Sequence, residues 1–446
     1  MTWECRRSHW VKQIEDARAP FDVDYARVVH SASFRRLQGK TQILNLGESD
    51  FYRTRLTHSL ETAQIATGIT RRFAVHFADH PAQASLPPTS LIQAISFSHD
   101  LGHPPFGHGG ETALNYCMRE NGGFEGNGQT LRILSRLETF SEAHGADLTR
   151  RALLGVLKYP APYSIVQNRA LRPCLEQGST LITVIDQRRS KPPKCFFDSE
   201  RDVVDWILEP STADDRALLQ QVEDSATHHH TARHKSFDCS IMDVADDIAY
   251  GVHDLEDAVA LGLVSDQTFG TFVSADQCQA FLESIATKYP DQFGADVHGH
   301  FIAQLFGDSI ARKRSIGRLA HYFVSAVTID TEDAFTGPLL RYRAAMDSEA
   351  RRFLERLQRF IFEDVISSPK VQHLTFKGQK MVASVFEAMQ SDPKRFLPTD
   401  SYRRYEASPG GLRVLCDYVS GMTDGFLLKT YDRLFSPRMG SVFDKL

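Results

Sequence analysis

The sequence predicts a mainly α-helical globular protein, and three observations carry this prediction. Apolar residues recur at helical spacing along most of the 446 residues, whereas strict alternation of apolar and polar residues is rare. Hydrophobic residues make up 42% and charged residues 24%, the balance of an ordinary globular chain. No internal repeat or low-complexity tract interrupts the pattern. At this length the chain can form one large domain or two.

The first well-defined helix is expected over residues 89–100, which read TSLIQAISFSHD. It follows Pro87 and Pro88, and Thr89 with Ser90 can cap its N-terminus. Its apolar residues fall at helical spacing: Leu91, Ile92 and Ile95.

Two later segments predict amphipathic helices. Residues 241–259 place seven apolar side chains on one stripe: Ile241, Val244, Ala245, Ile248, Val252, Leu255 and Val259. Residues 351–366 repeat the arrangement with four others: Phe353, Leu357, Phe360 and Ile361. The polar segments 187–194 and 223–236 lack apolar anchors, and we expect loops there.

Composition and charge exclude several classes of protein. The net charge of −5 gives no overall field that would attract nucleic acid. The seven cysteines are scattered without a CxxC pair, which indicates free thiols in a reducing compartment. The charged start MTWECRRSHW lacks the apolar core of a signal peptide, and no apolar run is long enough to span a bilayer. We therefore expect a cytoplasmic protein without a membrane partner.

Residues 99–111, HDLGHPPFGHGGE, gather titratable side chains where prolines and glycines interrupt the helix. His99 and Asp100 follow directly on the apolar helix, and Gly102 helps to end it. Adjacent residues of a helix point about 100° apart, so both can reach one ion only at a helix edge. Because the helix ends here, the pair is a candidate for binding a divalent cation.

Further ligands must come from elsewhere in the chain. The best donors are His58, in RTRLTHSLE, and an aspartate in MDVADDIAYGVHDLED, where Asp246 and Asp247 are the candidates. Taken alone, the histidine is typical of a protein core, and either aspartate is typical of a solvated helix face. Two imidazoles and two carboxylates together would form a neutral site around a divalent cation. Such mixed nitrogen and oxygen ligation favours Mn²⁺, Fe²⁺, Co²⁺ or Ni²⁺ over Mg²⁺ and Ca²⁺, which prefer oxygen ligands.

These residues carry a resemblance to a known family. The order of one histidine, a His-Asp pair and a distal aspartate is the signature of HD-domain phosphohydrolases. The segments RTRLTHSLE, HDLGHPPFGHGGE, FEGNGQTLRIL and MDVADDIAYGVHDLEDA together resemble the deoxynucleoside triphosphate triphosphohydrolases, the dGTPase-like branch. The resemblance is strong from about residue 25 to 260 and thinner afterwards, where VISSPKVQHLTFKGQKMV is the clearest match.

The resemblance implies how the chain is divided. We expect an HD-domain helical fold over residues 1–270, forming the catalytic core and including an N-terminal active-site segment. We expect a C-terminal helical region over residues 271–446, packed on that core, with loop insertions along the chain.

The resemblance also implies which aspartate binds the metal. In the family a tyrosine follows the last ligand by four residues and an aspartate by eight, a pattern that Asp246, Tyr250 and Asp254 match. Spacing by four keeps these side chains on one helix face. Asp247 would then project elsewhere, towards solvent or a phosphate-bound cation. The implied metal ligands are two histidines and two aspartates: His58, His99, Asp100 and Asp246.

Family positions imply proton-transfer roles for two further side chains. His108 and Glu111 match the family's catalytic histidine and its acidic partner. Histidine transfers protons near neutral pH, and a carboxylate can fix its tautomer. We expect the two glycines between them to bend the backbone so that Glu111 returns to His108. His103 matches a position near the phosphates, which implies either a phosphate contact or support of the metal ligands.

The triphosphate of the implied substrate requires convergent cations. Arg55 matches a phosphate-binding arginine of the family, whereas Arg53 is expected on the surface. Lys235 is a further candidate for a phosphate contact. The sequence contains no GxxxxGKS motif, so P-loop chemistry is excluded.

Sugar selection is assigned by the resemblance to three residues. Gln42 and Asp254 can hydrogen-bond a 3′-hydroxyl, while the ring of Tyr250 can crowd the 2′-carbon so that a ribose hydroxyl does not fit. Asn127 stands where some relatives carry a histidine and is a secondary candidate for substrate binding.

The implied reaction is metal-dependent hydrolysis of dGTP, or of dNTPs generally, to deoxynucleoside and inorganic triphosphate by water attack at the α-phosphorus. One alternative is an HD-domain hydrolase of another nucleotide: a nucleotidase, or an enzyme for cyclic nucleotides or guanosine tetraphosphate. Another is a non-catalytic, nucleotide-sensing oligomer. Relatives are commonly homohexamers, and some bind single-stranded DNA or are activated by nucleotides. The sequence does not decide among these partners or fix the base preference.

The three consecutive histidines at 228–230 are a separate candidate for metal binding. Histidine tracts can bind transition metals, but three adjacent residues on a loop cannot all face one rigid site. We therefore do not expect a functional metal site there.

Overall fold

The computed structural model describes residues 3–8, 10, 12–42, 53–176 and 184–437. Within these ranges the chain forms many helices and two small sheets, so the predicted mainly α-helical fold is confirmed. The α-helices up to residue 260 are α1 (Pro20–His30), α2 (Ala32–Arg36), α3 (Arg55–His76), α4 (Thr89–Ser98), α5 (Gly107–Cys117), α6 (Gly126–Arg132), α7 (Arg150–Val156), α8 (Tyr163–Val166), α9 (Gln187–Ser190), α10 (Arg201–Leu208), α11 (Ala213–Leu219) and α12 (Phe237–Ala260).

The later part of the chain is also helical. Its α-helices are α13 (Asp266–Phe272), α14 (Gln279–Lys288), α15 (Val297–Leu305), α16 (Ser309–Ser325), α17 (Pro338–Arg341), α18 (Ser348–Phe360), α19 (Pro369–Ser391), α20 (Pro393–Phe396), α21 (Thr399–Ala407), α22 (Gly411–Ser420) and α23 (Asp424–Phe435). The strands form two antiparallel pairs, β1 (Val222–Glu223) with β2 (Thr231–Ala232), and β3 (Val327–Thr331) with β4 (Tyr342–Met346).

The helices expected from apolar spacing are present, with small differences at their ends. Pro88 is the N-cap of α4 without a side-chain hydrogen bond, so the expected cap by Thr89 and Ser90 is wrong. Ser236 caps α12, which starts earlier than its apolar stripe because the Ser236 hydroxyl accepts from the Cys239 amide. Helix α18 continues as a π-helical segment over Ile361–Ile366.

The two polar segments are not entirely irregular. Residues 187–194 contain the short helix α9, and residues 223–236 contain the return strand β2. Segment 223–236 remains mostly loop, as its lack of apolar anchors predicts, whereas half of segment 187–194 is helical.

Helix α12 lies at the centre of the main hydrophobic core. It packs against α3, α4, α7, α16 and α18, and every residue of its predicted apolar stripe is buried. A second apolar cluster joins α5 to α19, α22 and α23. The site described below therefore lies between the central helices and a C-terminal group of helices.

The main core continues past residue 270 and includes side chains from α14, α16 and α18. The division at residue 270 stays a prediction. Among the described residues, no helix combines the length and apolar character needed to cross a bilayer.

Candidate metal centre and active site

Three elements bring two histidines and an aspartate together. His58 lies in the first turns of α3, whose N-terminus is capped by Thr54, and His99 is the C-terminal cap of α4. Asp246 lies in the middle of α12. One ligand atom from each of His58, His99 and Asp246 lies within 4.8 Å of the other two. The Asp246 Oδ1 atom is 3.1 Å from His58 Nε2 and 3.6 Å from His99 Nε2.

The tautomer of His99 suits a metal ligand. Its Nδ1 donates a hydrogen bond to the Ser96 carbonyl at 2.6 Å, so the neutral ring leaves a lone pair on Nε2. That Nε2 atom is buried and has no hydrogen-bond partner among the described residues. Orientation by a backbone carbonyl is the usual arrangement behind a metal-binding histidine.

A partly buried lysine, Lys158, adds positive charge beside Asp246. Lys158 Nζ lies 3.2 Å from Asp246 Oδ2 and 2.7 Å from Asp243 Oδ1. Burial raises the pKa of Asp246, but Lys158, His99 and His58 outweigh burial and hold the pKa below its ordinary value. Burial lowers the pKa of His58, but Asp246 reverses this effect and raises it. Asp246 is thus ionised, as a metal ligand must be.

Asp100 is placed beside this group but is held by other partners. Its Oδ2 accepts from Arg55 Nη1 at 2.7 Å, and its Oδ1 lies 2.9 Å from His103 Nδ1 and 3.6 Å from His99 Nε2. Burial raises the pKa of Asp100, yet His103 and Arg55 keep it well below its ordinary range. Asp100 is available as a carboxylate, although the set of three mutually close donors does not include it.

The turn after Asp100 is fixed by close packing on α6. A Cβ atom at Gly102 would lie 2.1 Å from the Gly126 carbonyl oxygen, so only glycine fits. The Gly102 amide donates to Thr130 Oγ1, and that hydroxyl donates to the His99 carbonyl. These contacts hold the end of α4 against the start of α6.

His108 and Glu111 form the expected pair, but the glycines between them do not bend the chain. Both residues lie in the first turn of α5, where spacing by three brings the side chains together. His108 Nδ1 is 3.1 Å from Glu111 Oε2. Gly109 and Gly110 are helical, and a Cβ atom at Gly110 would lie 2.0 Å from the Pro105 carbonyl oxygen. The expected bend is wrong because these glycines serve close packing inside a helix.

The two members of this pair differ sharply in exposure. The side chain of His108 is 78% exposed, whereas Glu111 is buried. Because an ionised carboxylate only accepts, His108 Nδ1 carries the shared proton and Nε2 faces outward as a free acceptor. Glu111 Oε1 also accepts from the Gly126 amide at 2.9 Å.

The side chains assigned to the sugar have unpartnered oxygen atoms. Gln42 Oε1 and Asp254 Oδ2 are buried and have no hydrogen-bond partner among the described residues. Burial raises the pKa of Asp254 to about 7, although His58 and Arg53 oppose this shift. Tyr250 lies one helical turn from each neighbour, Asp246 and Asp254, as predicted.

Asn127 lies at the start of α6, where its amide donates to Glu125 Oε1 at 2.7 Å. Lys235 forms an ion pair with Asp243, which also holds Lys158. Lys235 is therefore linked to Asp246 through two residues, Asp243 and Lys158.

Of two charged residues outside the proposed site, one is placed differently from the expectation. The side chain of Arg53 is only 9% exposed and pairs with Glu61 and Asp257, so its expected surface position is wrong. Arg53 joins the start of α3 to the end of α12. Asp247 projects away from the metal donors, as expected, and accepts from Arg351 Nη1 of α18 at 2.7 Å.

The consecutive histidines 228–230 do not converge. His229 accepts from the Asn168 amide and donates to the Lys191 carbonyl, while His230 accepts from the Ser225 amide. Of the residues that the structure describes, only His58, His99 and Asp246 form a group with metal-ligand spacing.

Comparisons with known proteins show which family this chain belongs to. Residues 55–151 match the HD domain, and residues 344–433 match the phosphohydrolase-associated domain. The chain is 44% identical to a deoxyguanosinetriphosphate triphosphohydrolase-like protein of Shewanella sp. (strain MR-7), over 98% of this chain and 97% of the relative. It is 43% identical to deoxyguanosinetriphosphate triphosphohydrolase-like protein 2 of Deinococcus radiodurans, over 99% and 98%. The chain belongs to this HD-domain, dGTPase-like family.

Membership identifies the chain as an HD-domain phosphohydrolase and agrees with a divalent metal at the histidine–aspartate group. The HD domain includes α3, α4 and α5, which carry His58, His99 and His108. The distal aspartate on α12 lies outside the matched range.

Three buried or partly buried lysines beside this family site were missed by sequence reasoning. Lys158 contacts Asp246, Lys194 contacts Glu111, and Lys40 donates to the His103 carbonyl. Each lies far in sequence from the residue it contacts, and Lys158 and Lys194 lie outside any recognised motif. A single lysine in a segment such as LKYP or RSKPPK does not reveal from sequence that it will contact a carboxylate of the site.

Proposed function

We propose that this HD-domain phosphohydrolase hydrolyses deoxynucleoside triphosphates, dGTP or dNTPs generally, to deoxynucleoside and inorganic triphosphate. The observation that carries the proposal is a group of metal donors linked through Asp100 and His103 to a carboxylate-held, exposed histidine, His108. Water attack at the α-phosphorus would then need an activated water and a proton for the departing 5′-oxygen.

His58, His99, Asp100 and Asp246 would hold the divalent cation. The unpartnered Nε2 of His99 and the ionised Asp246 carboxylate fit such an ion. When bound, the cation would polarise a phosphoryl oxygen and lower the pKa of a bound water. Mixed imidazole and carboxylate ligands favour Mn²⁺, with Mg²⁺, Co²⁺, Ni²⁺ or Fe²⁺ as further candidates.

His108 would exchange the proton. Glu111 holds Nδ1, so the exposed Nε2 is the atom that can take a proton from water or deliver one to the leaving oxygen. Arg55 and Lys235 would offset the charge of the phosphates, His103 would contact a phosphate or support the metal ligand Asp100, and Asn127 would be a secondary contact. Gln42 and Asp254 would bind the 3′-hydroxyl through their unpartnered oxygens, and Tyr250 would exclude a 2′-hydroxyl.

The test compares two adjacent aspartates of α12. Asp246→Ala should lose bound metal and triphosphate release while the helix stays folded, because alanine favours helix. Asp247→Ala is the matched control, since Asp247 pairs with Arg351 instead. For both variants, mass spectrometry measures the metal content, an assay with dGTP measures triphosphate release, and circular dichroism checks the fold. Full metal content in Asp246→Ala, or loss in Asp247→Ala alone, would contradict the assignment.

The products separate this proposal from other reactions on the same site. Only a triphosphohydrolase releases intact triphosphate, whereas a nucleotidase or an enzyme for cyclic nucleotides or guanosine tetraphosphate does not. A non-catalytic nucleotide sensor would bind dNTPs without any product. A panel of dNTPs, NTPs and these alternatives, each with Mn²⁺, Mg²⁺ or Co²⁺, therefore tests substrate and metal together.

The family likeness also supports a proposal about assembly. We expect a homo-oligomer, a hexamer by resemblance, whose activity responds to nucleotides or single-stranded DNA. Mass measurement in solution with and without each ligand tests this expectation.

A further inference from the structure

Lys194 lies between two buried carboxylates at the active site. Its Nζ atom is 2.8 Å from Glu125 Oε1 and 3.5 Å from Glu111 Oε1. Both glutamates are buried, whereas the Lys194 side chain retains 32% exposure. Buried carboxylates are costly without a partner, and this lysine is the cation that the structure places against both.

Each glutamate has a second task that fixes its position. Glu125 is the N-cap of α6, because its Oε2 accepts from the Gly128 amide at 2.8 Å. Glu111 accepts from the Gly126 amide and from His108. The chain of contacts therefore runs from Lys194, through Glu111, to the exposed imidazole.

We propose that Lys194 is a positioning residue for the hydrolytic reaction, which fixes the Glu111 carboxylate against His108 and the start of α6. The inference rests on the proposed function, because it assigns Lys194 to the proton-transfer pair of that same site. Lys194 acts through Glu111 and holds the Nδ1–H tautomer of His108.

Electrostatics agree with this role. The charged and titratable groups that face Glu111 are His108 on the same helix, His103 on the preceding loop, Glu125 at the start of α6, and Lys194. Burial raises the pKa of Glu111, but Lys194 and His108 outweigh burial and hold it well below its ordinary range. Without Lys194, Glu111 would take up a proton at higher pH and release His108.

Lys194→Met tests this role because it keeps the length of the side chain and removes its charge. We expect kcat for dGTP to fall by roughly 10–100-fold, as for other residues that orient a catalytic group, with KM and metal content little changed. We also expect the acid limb of the kcat profile to move to higher pH, since removal of an opposite charge at this distance raises the pKa of the Glu111 carboxyl. Lys194→Arg should keep the wild-type acid limb.

Lys191→Met is the matched control, because Lys191 is an exposed residue of the same segment. It should keep the wild-type kcat and pH profile. If Lys194→Met does not fold, the double variant Lys194→Met/Glu125→Gln removes the cation together with one carboxylate. Glu111 still lacks its partner there, so the acid limb should still move.

Wild-type activity is measured first, so the two proposals fail separately. Absence of triphosphate release by the wild-type protein would overturn the proposed function. Wild-type activity together with an unmoved acid limb and unchanged kcat in the lysine variants would overturn the role of Lys194. Loss of bound metal in Lys194→Met would also overturn it, because Lys194 contacts none of the proposed ligands.

Discussion

At the scale of single residues, the site separates metal donors from proton-transfer groups by burial. His58 and His99 are buried, and the facing Asp246 carboxylate is kept ionised despite its environment. His108 instead projects into solvent from a helix whose buried Glu111 holds it. His103 joins the two environments, because it contacts Asp100 beside the metal donors and its ring centroid lies 6.1 Å from that of His108.

His108→Ala tests the separation of these roles. We expect turnover of dGTP to fall by roughly 10²–10⁴-fold, the scale for losing an acid–base group. Bound metal and nucleotide affinity should persist, because His108 is not among the metal donors. Metal analysis, equilibrium binding and turnover are measured on one preparation. Loss of metal together with activity would make His108 a ligand, and unchanged turnover would make it structural.

Tyr250 gives a second prediction at this scale. The wild-type protein should prefer dGTP over GTP, because Tyr250 lies one helical turn from both Asp246 and Asp254, and the proposed role of its ring is to exclude a 2′-hydroxyl. Tyr250→Ala should reduce the ratio of kcat/KM for dGTP to that for GTP by roughly 10–100-fold. Tyr250→Phe, which keeps the ring, is the control and should retain the preference. Equal turnover of GTP and dGTP by the wild-type protein would refute the assignment.

At the scale of elements, the start of α5 depends on glycines and on a distant helix. Phe106, the residue before α5, has a left-handed backbone with φ of 60°, which is rare for a non-glycine residue. Its amide donates to Asp424 Oδ1 at 2.9 Å, and its ring packs over Gly378 of α19. The turn that presents His108 is thus held from outside the HD domain.

Gly110→Ala tests this packing. The added methyl group would meet the Pro105 carbonyl at 2.0 Å, so the backbone must shift. We expect a loss of roughly 1–3 kcal/mol in the free energy of unfolding and lower turnover. Gly68→Ala on α3 is the control: its Cβ meets nothing within 4 Å, so alanine should stabilise the helix by up to about 1 kcal/mol. Denaturant unfolding compares the two, and equal effects would contradict the prediction.

Helical periodicity predicted α4, α12 and α18 because each buries a stripe whose spacing is visible in the sequence. Spacing by four likewise placed Asp246, Tyr250 and Asp254 on one face. The same reasoning could not assign the glycines of α5, since a glycine in a bend and a glycine in a crowded helix look alike in sequence. Nor could it find Lys194, because only the tertiary fold brings segment 184–197 to α5.

At the scale of the whole molecule, the C-terminal helices hold the N-terminal active-site segment. Lys40 donates to the His103 carbonyl at 2.5 Å and to the Ser420 carbonyl at 3.0 Å. Thr41 donates to Asp424 through both its amide and its hydroxyl. Three stretches that are distant in sequence therefore meet at one buried lysine, next to Gln42.

Lys40 makes the stability of the whole protein depend on pH. Burial, together with nearby Arg36 and Arg55, lowers the pKa of Lys40 from 10.5 to about 7. Below about pH 7 the lysine is protonated in both the folded and the unfolded protein. In that range it therefore does not make the free energy of unfolding depend on pH. Between pH 7 and 10.5 the unfolded chain holds the proton and the folded chain does not. The free energy of unfolding therefore rises with pH across this window, by at most about 1.4 kcal/mol per unit from this residue.

Lys40→Met should remove this contribution. Chemical unfolding should be measured for both proteins at several pH values between 6.5 and 9.5. The difference in free energy of unfolding, wild type minus variant, should increase as the pH rises. The exposed Lys377→Met is the control and should follow the wild-type curve. Because Lys40 joins His103 to the C-terminal helices, the methionine variant should also be less stable at high pH through loss of both hydrogen bonds. Parallel curves for wild type and Lys40→Met would show that Lys40 stays charged in the folded protein.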